Sequence, residues 1–359
     1  MLATIAHTMT KTCTLTPSGR SFPVDDGETL LAAALRAGVV LPYGCKDGAC
    51  GSCKATLVAG AVDHGHYQKK ALSDADRDAG GLLLCQATAE TDITVSARVV
   101  AAEGMIPIRK LPCRVASIER AATDVAIVKL QLPAAEKFDF LAGQYIDILL
   151  KDGKRRSYSM ASAPHESGPI ELHIRHTPGG AFTDALFGSG TPSINAVKEK
   201  DILRFEGPQG TFFLREDSAR PMVLLASGTG FAPIKAVIEH ARFKHIARPM
   251  TLYWGGRRPH DLYMMGLAEA WAKEIPGFRF VPVVSDALPE DQWTGRTGFV
   301  HHAVMADFPD LSGHSVYACG APIVVQSAKA DFVAQCGLPE DEFFADAFTT
   351  AADLAKKPA

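Results

Sequence analysis

The sequence predicts a multidomain fold, in which a small α+β domain precedes an antiparallel β-barrel and a doubly wound α/β domain. A cysteine-rich loop lies between short strand and helix patterns in the first quarter of the chain. Strand-like runs with a single helix pattern follow, which is typical of a small barrel. Strand and helix patterns alternate through the remainder, which is typical of a parallel sheet covered by helices.

The composition is that of an ordinary soluble chain, with 359 residues, of which 47% are hydrophobic and 21% charged. The formal net charge of −3 gives no basis for binding nucleic acid or an anionic membrane. No apolar run reaches the roughly 18 residues of a membrane span, and the first residues lack a secretory signal pattern. We therefore expect a cytoplasmic protein, in which clustered cysteines bind metal or carry out redox chemistry more often than they form disulfides.

The first predicted domain covers residues 8–99. KTCTLTPSGRSFPV predicts two short strands around the turn at Ser18 and Gly19, and ETLLAAALRAG predicts a helix that ends at Gly38. The cysteine loop, a strand in CKATLVAG, a polar stretch and further strands in LLLCQATAETDITV follow. VVAAEGMIPIRKLPC contains a glycine and two prolines without a clear period, and we interpret residues 100–109 as a linker.

The second predicted domain covers residues 110–216 and contains strand patterns such as QYIDILL, SYSMAS and IELHIRH. The third covers residues 217–350, where PMVLLAS, MTLYWGG, FRFVPVVS and SVYACG predict strands with helices between them. Residues 351–359, AADLAKKPA, are expected to form a flexible tail.

Four cysteines have the spacing of metal ligands. Cys45, Cys50 and Cys53 follow the pattern C-x4-C-x2-C, and Cys85 lies in LLLCQA. These intervals reproduce the plant-type ligand spacing of a [2Fe–2S] cluster, and small residues in the loop allow it to wrap closely around an inorganic core. A structural zinc site usually uses two C-x2-C pairs, of which the second is missing. Disulfides or buried thiols are the remaining alternatives.

On these residues the first domain resembles a plant-type ferredoxin domain of the β-grasp fold. The resemblance covers about the first quarter of the chain and implies that the four cysteines hold a [2Fe–2S] cluster. We expect three of the other cysteines to be core thiols, namely Cys13, Cys113 and Cys336.

A second motif lies on a predicted barrel strand, in RRSYSMAS. Alternation places Arg156 and Tyr158 on one side of the strand, with Ser157 and Ser159 on the other. A guanidinium group suits a phosphate, and a flat aromatic ring suits stacking on a heterocycle. The alternative is that Arg156 and Tyr158 form an ordinary strand pair.

A glycine turn strengthens the cofactor interpretation. PGGAFT places Gly179 and Gly180 before a helix, where a pyrophosphate can be bound, with Thr183 as a further donor. Together with R-x-Y-S, this turn resembles the FAD domain of the ferredoxin–NADP reductase family.

The resemblance implies roles for single residues. Arg156 would bind the FAD phosphates, Tyr158 would stack on the isoalloxazine, and Ser159 would lie near N5. His173 and Arg175, in LHIRH, would line the cofactor, although either residue is equally suited to the surface of a strand.

VLLASGTGFAPIKAV predicts a strand, a glycine turn and a helix. Gly228, Thr229 and Gly230 form the turn, whose glycines let the backbone approach a pyrophosphate. Pro233 stands near the third glycine position of G-x-G-x-x-G, so the pattern is incomplete, and a simple packing turn is the alternative.

A second motif, YACGAP, supports a nucleotide site. G-T-G-x-A-P and C-G-x-P both resemble the pyridine nucleotide domain of the same family. The resemblance places Cys319 near the nicotinamide and flavin, with Gly320 and Pro322 shaping the turn, and so adds Cys319 to Tyr158 and Ser159 as a candidate catalytic residue. A buried thiol at the end of a strand is the alternative for Cys319.

The choice between NADH and NADPH depends on WGGRRPHDLY. Arg257 and Arg258 suit a 2′-phosphate, whereas Asp261 suits a free ribose. The domain order favours NADH by resemblance. FFADAFTT offers a C-terminal aromatic of the kind that relatives place against the flavin, without favouring Phe343, Phe344 or Phe348.

The order of the three domains resembles the reductase components of multicomponent oxygenases. It implies an oxidoreductase that passes electrons from NADH through FAD and [2Fe–2S] to a Rieske dioxygenase, a di-iron monooxygenase or a cytochrome P450. A similar layout occurs in the CDP-6-deoxyglucoseen reductases, which supply a dehydrase in deoxysugar synthesis. A redox sensor without turnover and a flavin or ferric reductase with small acceptors are further alternatives. We expect a monomer whose partner docks near Lys46 and Asp47.

Overall fold

The computed structural model describes residues 10–100, 106–189 and 196–349. These residues divide into two compact units, one containing residues 10–100 and 349, the other containing residues 106–348. The predicted tail, residues 351–359, and residues 101–105 of the predicted linker lie outside the described residues.

The first unit is built on a mixed sheet with the strand order β2-β1-β7-β3-β5. Strands β1 and β7 are parallel, their neighbours are antiparallel, and β4 pairs separately with β6. The elements are β1 Lys11–Thr16, β2 Ser21–Val24, α1 Leu30–Arg36, β3 Lys54–Ala59, β4 Val62–Asp63, α2 Asp74–Asp78, β5 Gly81–Leu83, β6 Thr88–Ala89 and β7 Ile93–Ser96.

Helix α1 packs on this sheet as its apolar face predicts. The Thr29 side chain accepts a hydrogen bond from the Ala32 N–H and begins the helix. Leu30 and Leu31 are buried in one core with Leu15 and other residues of the sheet. Burial of such side chains stabilises the fold by about 1.5–3 kcal/mol each.

The short helix α2 lies in the stretch that the sequence analysis interprets only as polar. None of its residues is buried, so no apolar period marks it. Ser73 and Asp76 form a capping box, in which each side chain accepts from the backbone N–H of the other residue.

The second unit begins with an antiparallel barrel of strand order β11-β10-β13-β8-β9-β12. A bridge between Met160 and Leu172 joins the two edges of this sheet. Inward side chains such as Val115, Ile146 and Phe205 are completely buried. The elements are β8 Arg109–Ala122, β9 Val125–Gln131, β10 Tyr145–Leu149, β11 Arg155–Ser159, β12 Ile170–Arg175, α3 Ala181–Phe187 and β13 Ile202–Gln209.

A parallel sheet with the order β17-β16-β15-β14-β18-β19 completes the second unit. The elements are β14 Met222–Ser227, α4 Phe231–Phe243, β15 Met250–Gly256, α5 Met265–Glu274, β16 Phe278–Val284, β17 Arg296–Thr297, α6 Val300–Asp307, β18 Ser315–Gly320, α7 Pro322–Cys336 and β19 Phe343–Ala347. The strand order reverses between β14 and β18. In such sheets ligands bind where the carboxyl ends of the strands meet this switch point.

The FFADAF segment forms the edge strand β19. Phe343 and Phe344 are buried, and the Phe344 ring packs against Tyr317 with ring centroids 4.9 Å apart. These two aromatics therefore serve the core of the parallel sheet, whereas Phe348, just after the strand, is half-buried.

Candidate functional site

The loop between α1 and β3 carries three reduced thiols, and Cys85, which follows β5, is the fourth thiol of the group. Cys50, Cys53 and Cys85 are buried and Cys45 is half-buried. The Cys50 N–H donates to the Cys45 sulfur at 3.4 Å, and the Cys45 N–H donates to the Cys50 sulfur at 3.5 Å. The backbone thus presents N–H groups to the sulfurs, which is the arrangement that tunes a bound cluster.

The thiols form two pairs. Hydrogen bonding joins Cys45 to Cys50 and Cys53 to Cys85. Among the described residues, no three of these sulfurs lie within 4.8 Å of one another. Four thiolates around one zinc ion, with bonds of about 2.3 Å, would lie about 3.8 Å apart. Two pairs of thiols fit a two-iron centre better than a single ion.

In each pair, one thiol has a lowered pKa and therefore ionises more readily than an ordinary thiol. The hydrogen bond from Cys45 outweighs burial and, with the Ser52 hydroxyl and N–H groups, lowers the pKa of Cys50 to about 6. The hydrogen bond from Cys53 likewise lowers the pKa of Cys85, whereas the pKa values of Cys45 and Cys53 are raised. The thiolate is the form that binds metal, so the donor set suits a metal centre.

The loop requires glycine at position 48. Gly48 has a φ of +77°, and a Cβ there would lie 2.7 Å from the His66 carbonyl oxygen. Any other side chain would therefore push the cluster loop away from the segment beneath it.

Strand β11 carries the predicted flavin residues on the barrel. Arg156 and Tyr158 are half-buried, and the Tyr158 ring lies 5.7 Å from Phe182 between ring centroids. Burial raises the pKa of Tyr158, against the charge of Arg156, so the phenol stays neutral. Ser157 faces outward and lies 2.6 Å from Asp147 between side-chain oxygens.

Ser159 is buried and donates through its hydroxyl to Asp346 Oδ2 at 3.0 Å. Asp346 lies on β19, and its charge, after burial, also raises the pKa of Cys319. Asp346 therefore neighbours two candidate catalytic residues. Asp346 was not predicted from the sequence, because 187 positions separate it from Ser159.

The PGG turn is held by its own side chains. The Thr183 hydroxyl donates to the Thr177 carbonyl at 2.8 Å, and the Thr177 N–H donates back to that hydroxyl at 3.2 Å. Gly179, with a φ of +81°, donates its N–H to Asp184 Oδ2 at 3.1 Å. Gly180 is the N-cap of α3. The Asp184 carboxylate was not predicted from the sequence.

His173 and Arg175 point to different surroundings. The His173 side chain is completely buried, with Nδ1 2.8 Å from the Tyr263 hydroxyl and Nε2 2.9 Å from Glu171 Oε1. The Arg175 guanidinium lies 3.4 Å from the point where a Cβ on Gly228 would stand. Arg175 thus connects the barrel with the glycine turn after β14.

At the switch point, backbone packs directly on backbone. Residues 228–230 form a single 3₁₀ turn between β14 and α4. A Cβ on Gly230 would collide with the Cys319 carbonyl oxygen, and a Cβ on Gly320 would collide with the Ser227 carbonyl oxygen. Pro322 is the first residue of α7. The two glycine motifs predicted to bind nucleotide are therefore adjacent at the carboxyl ends of β14 and β18.

Aromatic side chains hold the glycine turn at residues 228–230 in place. The Phe231 ring stacks on Trp254 with centroids 3.9 Å apart, and Trp254 Nε1 donates to the Gly228 carbonyl at 3.0 Å. This stack fixes the turn against β15.

The charged residues of the loop after β15 bind partners within the loop and in the segment after β16. The Arg258 Nε and Nη2 atoms lie 2.6 and 2.7 Å from the two carboxylate oxygens of Asp291. Asp261 Oδ2 accepts the N–H groups of Arg257 and Arg258 at 2.8 and 3.0 Å. Arg258 is therefore already bound to a carboxylate in a bidentate manner.

A buried charge network links the barrel to α4. Lys235 Nζ lies 2.8 Å from Glu239 Oε2 and 3.4 Å from Glu171 Oε1. Glu171 in turn contacts His173. Two residues of β12 and two residues of α4 therefore interact in one network. Of these four residues, only His173 was singled out from the sequence.

Family models match all three parts of the chain. A 2Fe-2S iron-sulfur cluster binding domain matches residues 13–90, an oxidoreductase FAD-binding domain matches residues 112–214, and an oxidoreductase NAD-binding domain matches residues 224–330. The chain belongs to the family of iron–sulfur flavoprotein reductases, in which a ferredoxin domain is fused to a ferredoxin-reductase module.

Particular relatives match almost the whole chain. It is 44% identical over 334 residues to the CDP-6-deoxy-L-threo-D-glycero-4-hexulose-3-dehydrase reductase of Yersinia pseudotuberculosis, covering 93% of this chain and 97% of the relative. It is 38% identical to the terephthalate 1,2-dioxygenase reductase component 2 of a Comamonas species, covering 92% and 95%. The crystal structure of a cytochrome P450 reductase of Amycolatopsis is similar with a TM-score of 0.75 and 36% identity, covering 95% and 99%.

These findings confirm the predicted fold class, the oxidoreductase class and the [2Fe–2S], FAD and NAD(H) cofactors. The roles of the single site residues and the domain boundaries remain predictions. Among the described residues, none of the helices combines the length and the apolar character that crossing a bilayer requires.

Proposed function

We propose that the protein is the reductase component of an oxygenase system and transfers electrons from NADH to a protein acceptor. When bound, NAD(H) supplies a hydride, FAD takes up the pair of electrons and releases them singly, and [2Fe–2S] carries one electron. The observation that carries the proposal is the complete set of four paired thiols in a chain that also has FAD- and NAD-binding domains. A [2Fe–2S] cluster passes on one electron at a time, which suits an acceptor that takes electrons singly.

The side chains have separate tasks in this proposal. Arg156 binds the FAD phosphates, Tyr158 stacks on the isoalloxazine ring, and Ser159 is oriented by its hydrogen bond to Asp346. Cys319 closes the nicotinamide side of the site, where burial keeps its thiol protonated. The glycine turns let nucleotide phosphates approach the backbone N–H groups.

An anaerobic titration with NADH tests the electron sequence. We expect the flavin and iron–sulfur absorption bands to bleach together. A cluster that stays oxidised while the flavin bleaches would contradict the proposal and favour a redox sensor.

Cys85→Ser is the matched variant. The substitution removes one cluster ligand in the first unit, so the variant should lose iron. The variant should also lose the ability to reduce cytochrome c, which stands in for a one-electron protein acceptor. It should keep FAD and the NADH-dependent reduction of ferricyanide, because the residues proposed for both nucleotides lie in the second unit.

The acceptor is proposed from the names of relatives. Relatives include the reductase of a dioxygenase and a cytochrome P450 reductase. A dehydrase of deoxysugar synthesis is the second candidate, because the chain is 44% identical to a dehydrase reductase. Reconstitution with purified members of each acceptor class separates them: the true acceptor is reduced at a rate that saturates with its concentration.

Docking near the cluster loop is a further part of the proposal. Lys46 and Asp47 are half-buried beside Cys45, the most exposed of the four cysteines. Lys46→Glu should raise the KM for the acceptor while leaving the bleaching by NADH unchanged. We also propose a cytoplasmic monomer, which cell fractionation and size-exclusion chromatography test.

The preference for NADH rests on the pairing of Arg258 with Asp291. A 2′-phosphate would have to displace a bidentate carboxylate, whereas a free ribose would not. We expect Asp291→Asn to raise kcat/KM for NADPH about tenfold, because releasing a charge-assisted bond is worth about 1.4 kcal/mol or more.

Asp310→Asn is the control for this change in net charge, because Asp310 bonds Ser312 in another loop. Equal effects of the two substitutions on NADPH use would contradict the assignment.

A further inference from the structure

Helices α6 and α7 bring three metal-ligating side chains together. His301 and His302 lie on α6 and Asp331 lies on α7, and one ligand atom from each lies within 4.8 Å of the others. Within the described ranges, this is the one group of three or more His, Cys, Asp or Glu side chains that meets this distance. None of the three belongs to the predicted cofactor-binding residues.

The His301 side chain is only 9% exposed, and its Nε2 atom lies 3.3 Å from Asp331 Oδ2. Two ligands at about 2.0–2.1 Å from a tetrahedral ion lie about 3.3–3.4 Å apart, so the observed separation fits a shared ion. The Nδ1 atom of His301 is buried without a hydrogen-bond partner. Because a ring flip exchanges the two nitrogens, His301 can offer either of them to an ion.

The other two side chains are placed to complete the site. The His302 ring is exposed, with its centroid 4.2 Å from that of His301. Asp331 Oδ1 accepts a hydrogen bond from Gln335 Nε2 at 2.9 Å, which leaves Oδ2 directed at His301. Hydrogen bonds of this kind hold a ligating carboxylate in orientation.

Two imidazoles and one carboxylate suit a borderline divalent ion. Zn²⁺ binds such donors at tetrahedral sites, whereas Mg²⁺ and Ca²⁺ prefer oxygen ligands. Three protein ligands leave a fourth position for water.

We propose that His301, His302 and Asp331 form a site for a divalent transition ion, with the ligand chemistry of Zn²⁺, which ties α6 to α7. The bound ion would cross-link the two helices and so stabilise the NAD-binding part of the second unit.

Zinc content tests the proposal on protein loaded with cluster and FAD. After equilibrium dialysis against Zn²⁺, we expect one zinc per chain by elemental analysis, with iron unchanged so that the cluster cysteines stay occupied. His302→Ala removes an exposed ligand and is expected to weaken binding at least about tenfold. Asp331→Asn should weaken it as well.

His245→Asn is the control, because His245 is exposed and Asn tolerates its φ of +53°. Zinc should also raise the thermal midpoint of the wild type and of His245→Asn, but not of His302→Ala. No zinc in the wild type, or equal zinc in wild type and His302→Ala, would overturn the proposal and leave His301 and Asp331 as an ion pair between helices.

Discussion

Substitution of the buried Lys235, which lies on α4 and contacts the barrel, tests most directly how charged groups contribute to the stability of the protein. Lys235 is 7% exposed and contacts Glu239, Glu171 and the Ala161 carbonyl oxygen at 2.8, 3.4 and 3.3 Å. Lys235→Met keeps most of the apolar side chain and removes the charge. Two partly buried carboxylates then lose their shared cation.

The expected loss follows from the burial of the partners. Removing one member of a buried ion pair costs about 3–5 kcal/mol. The Glu171 and Glu239 side chains are 14% and 20% exposed, so water compensates part of the loss. We therefore expect the free energy of unfolding to fall by about 3 kcal/mol at pH 7.

The pH dependence has a defined sign. Burial raises the pKa of Glu171, but the hydrogen bond from His173 and the charges of Lys235 and other groups outweigh it and hold the pKa at about 2, against an ordinary 4.5. A lowered pKa contributes stability that is present above pH 4.5 and is lost as the pH falls towards 2. Without Lys235 the pKa values of both carboxylates rise, so the folded variant takes up protons more easily and loses less stability as the pH falls. The difference in unfolding free energy between wild type and variant should therefore narrow as the pH falls from 7 through about 4.5 towards 2.

Urea unfolding followed by tryptophan fluorescence measures this difference, since all three tryptophans lie in the second unit, at Trp254, Trp271 and Trp293. Lys329→Met is the control, because Lys329 pairs with Glu340 at 3.2 Å on the surface, with side chains 49% and 70% exposed. Its effect should stay within about 0.5 kcal/mol. Equal losses in the two variants, or a difference independent of pH, would refute the reasoning.

Substitutions at three further positions test the predicted cofactor sites. Gly230→Ala forces a Cβ onto the Cys319 carbonyl oxygen, so it should raise the KM for NADH at least about tenfold, measured with ferricyanide as acceptor. Gly48→Ala places a Cβ against the His66 carbonyl oxygen and should lower the iron content of purified protein while FAD content stays normal. Tyr158→Ala should weaken FAD retention about tenfold, measured by flavin release on dialysis, whereas Tyr158→Phe should retain it.

Gly266→Ala in α5 is the control for both glycine substitutions, since nothing lies within 4 Å of a Cβ at this position. It should leave both cofactors and activity unchanged, and helix propensity favours alanine by about 1 kcal/mol. Normal iron in Gly48→Ala, or a normal KM in Gly230→Ala, would contradict the close packing at that glycine.

The features that sequence analysis predicts here are local. Cys45, Cys50 and Cys53 act within one loop, so their spacing alone indicates the metal chemistry. The glycine turn at residues 228–230 likewise follows its strand directly, and its predicted place is where the structure has it.

The missed features depend on distant contacts or have no apolar period. Asp346 reaches Ser159 only because β19 lies beside β18 in the folded sheet. Lys235 appears in the sequence as one of several charged residues of helix α4, and its partner Glu171 lies in a different predicted domain. Helix α2 buries no residue, so only the pair Ser73 and Asp76 could have indicated it.

The hydrogen bond between Ser159 and Asp346 can form only late in the synthesis of the chain. The two residues are separated by 187 positions, so at about 5–20 residues per second the ribosome makes the second about 10–40 s after the first. Strand β11 can already pair with β10 on the nascent chain, but the Ser159 hydroxyl lacks this acceptor until β19 has been made. A chain that stops after β18 would contain every glycine motif and every cluster cysteine, yet the Ser159 hydroxyl would never meet its acceptor.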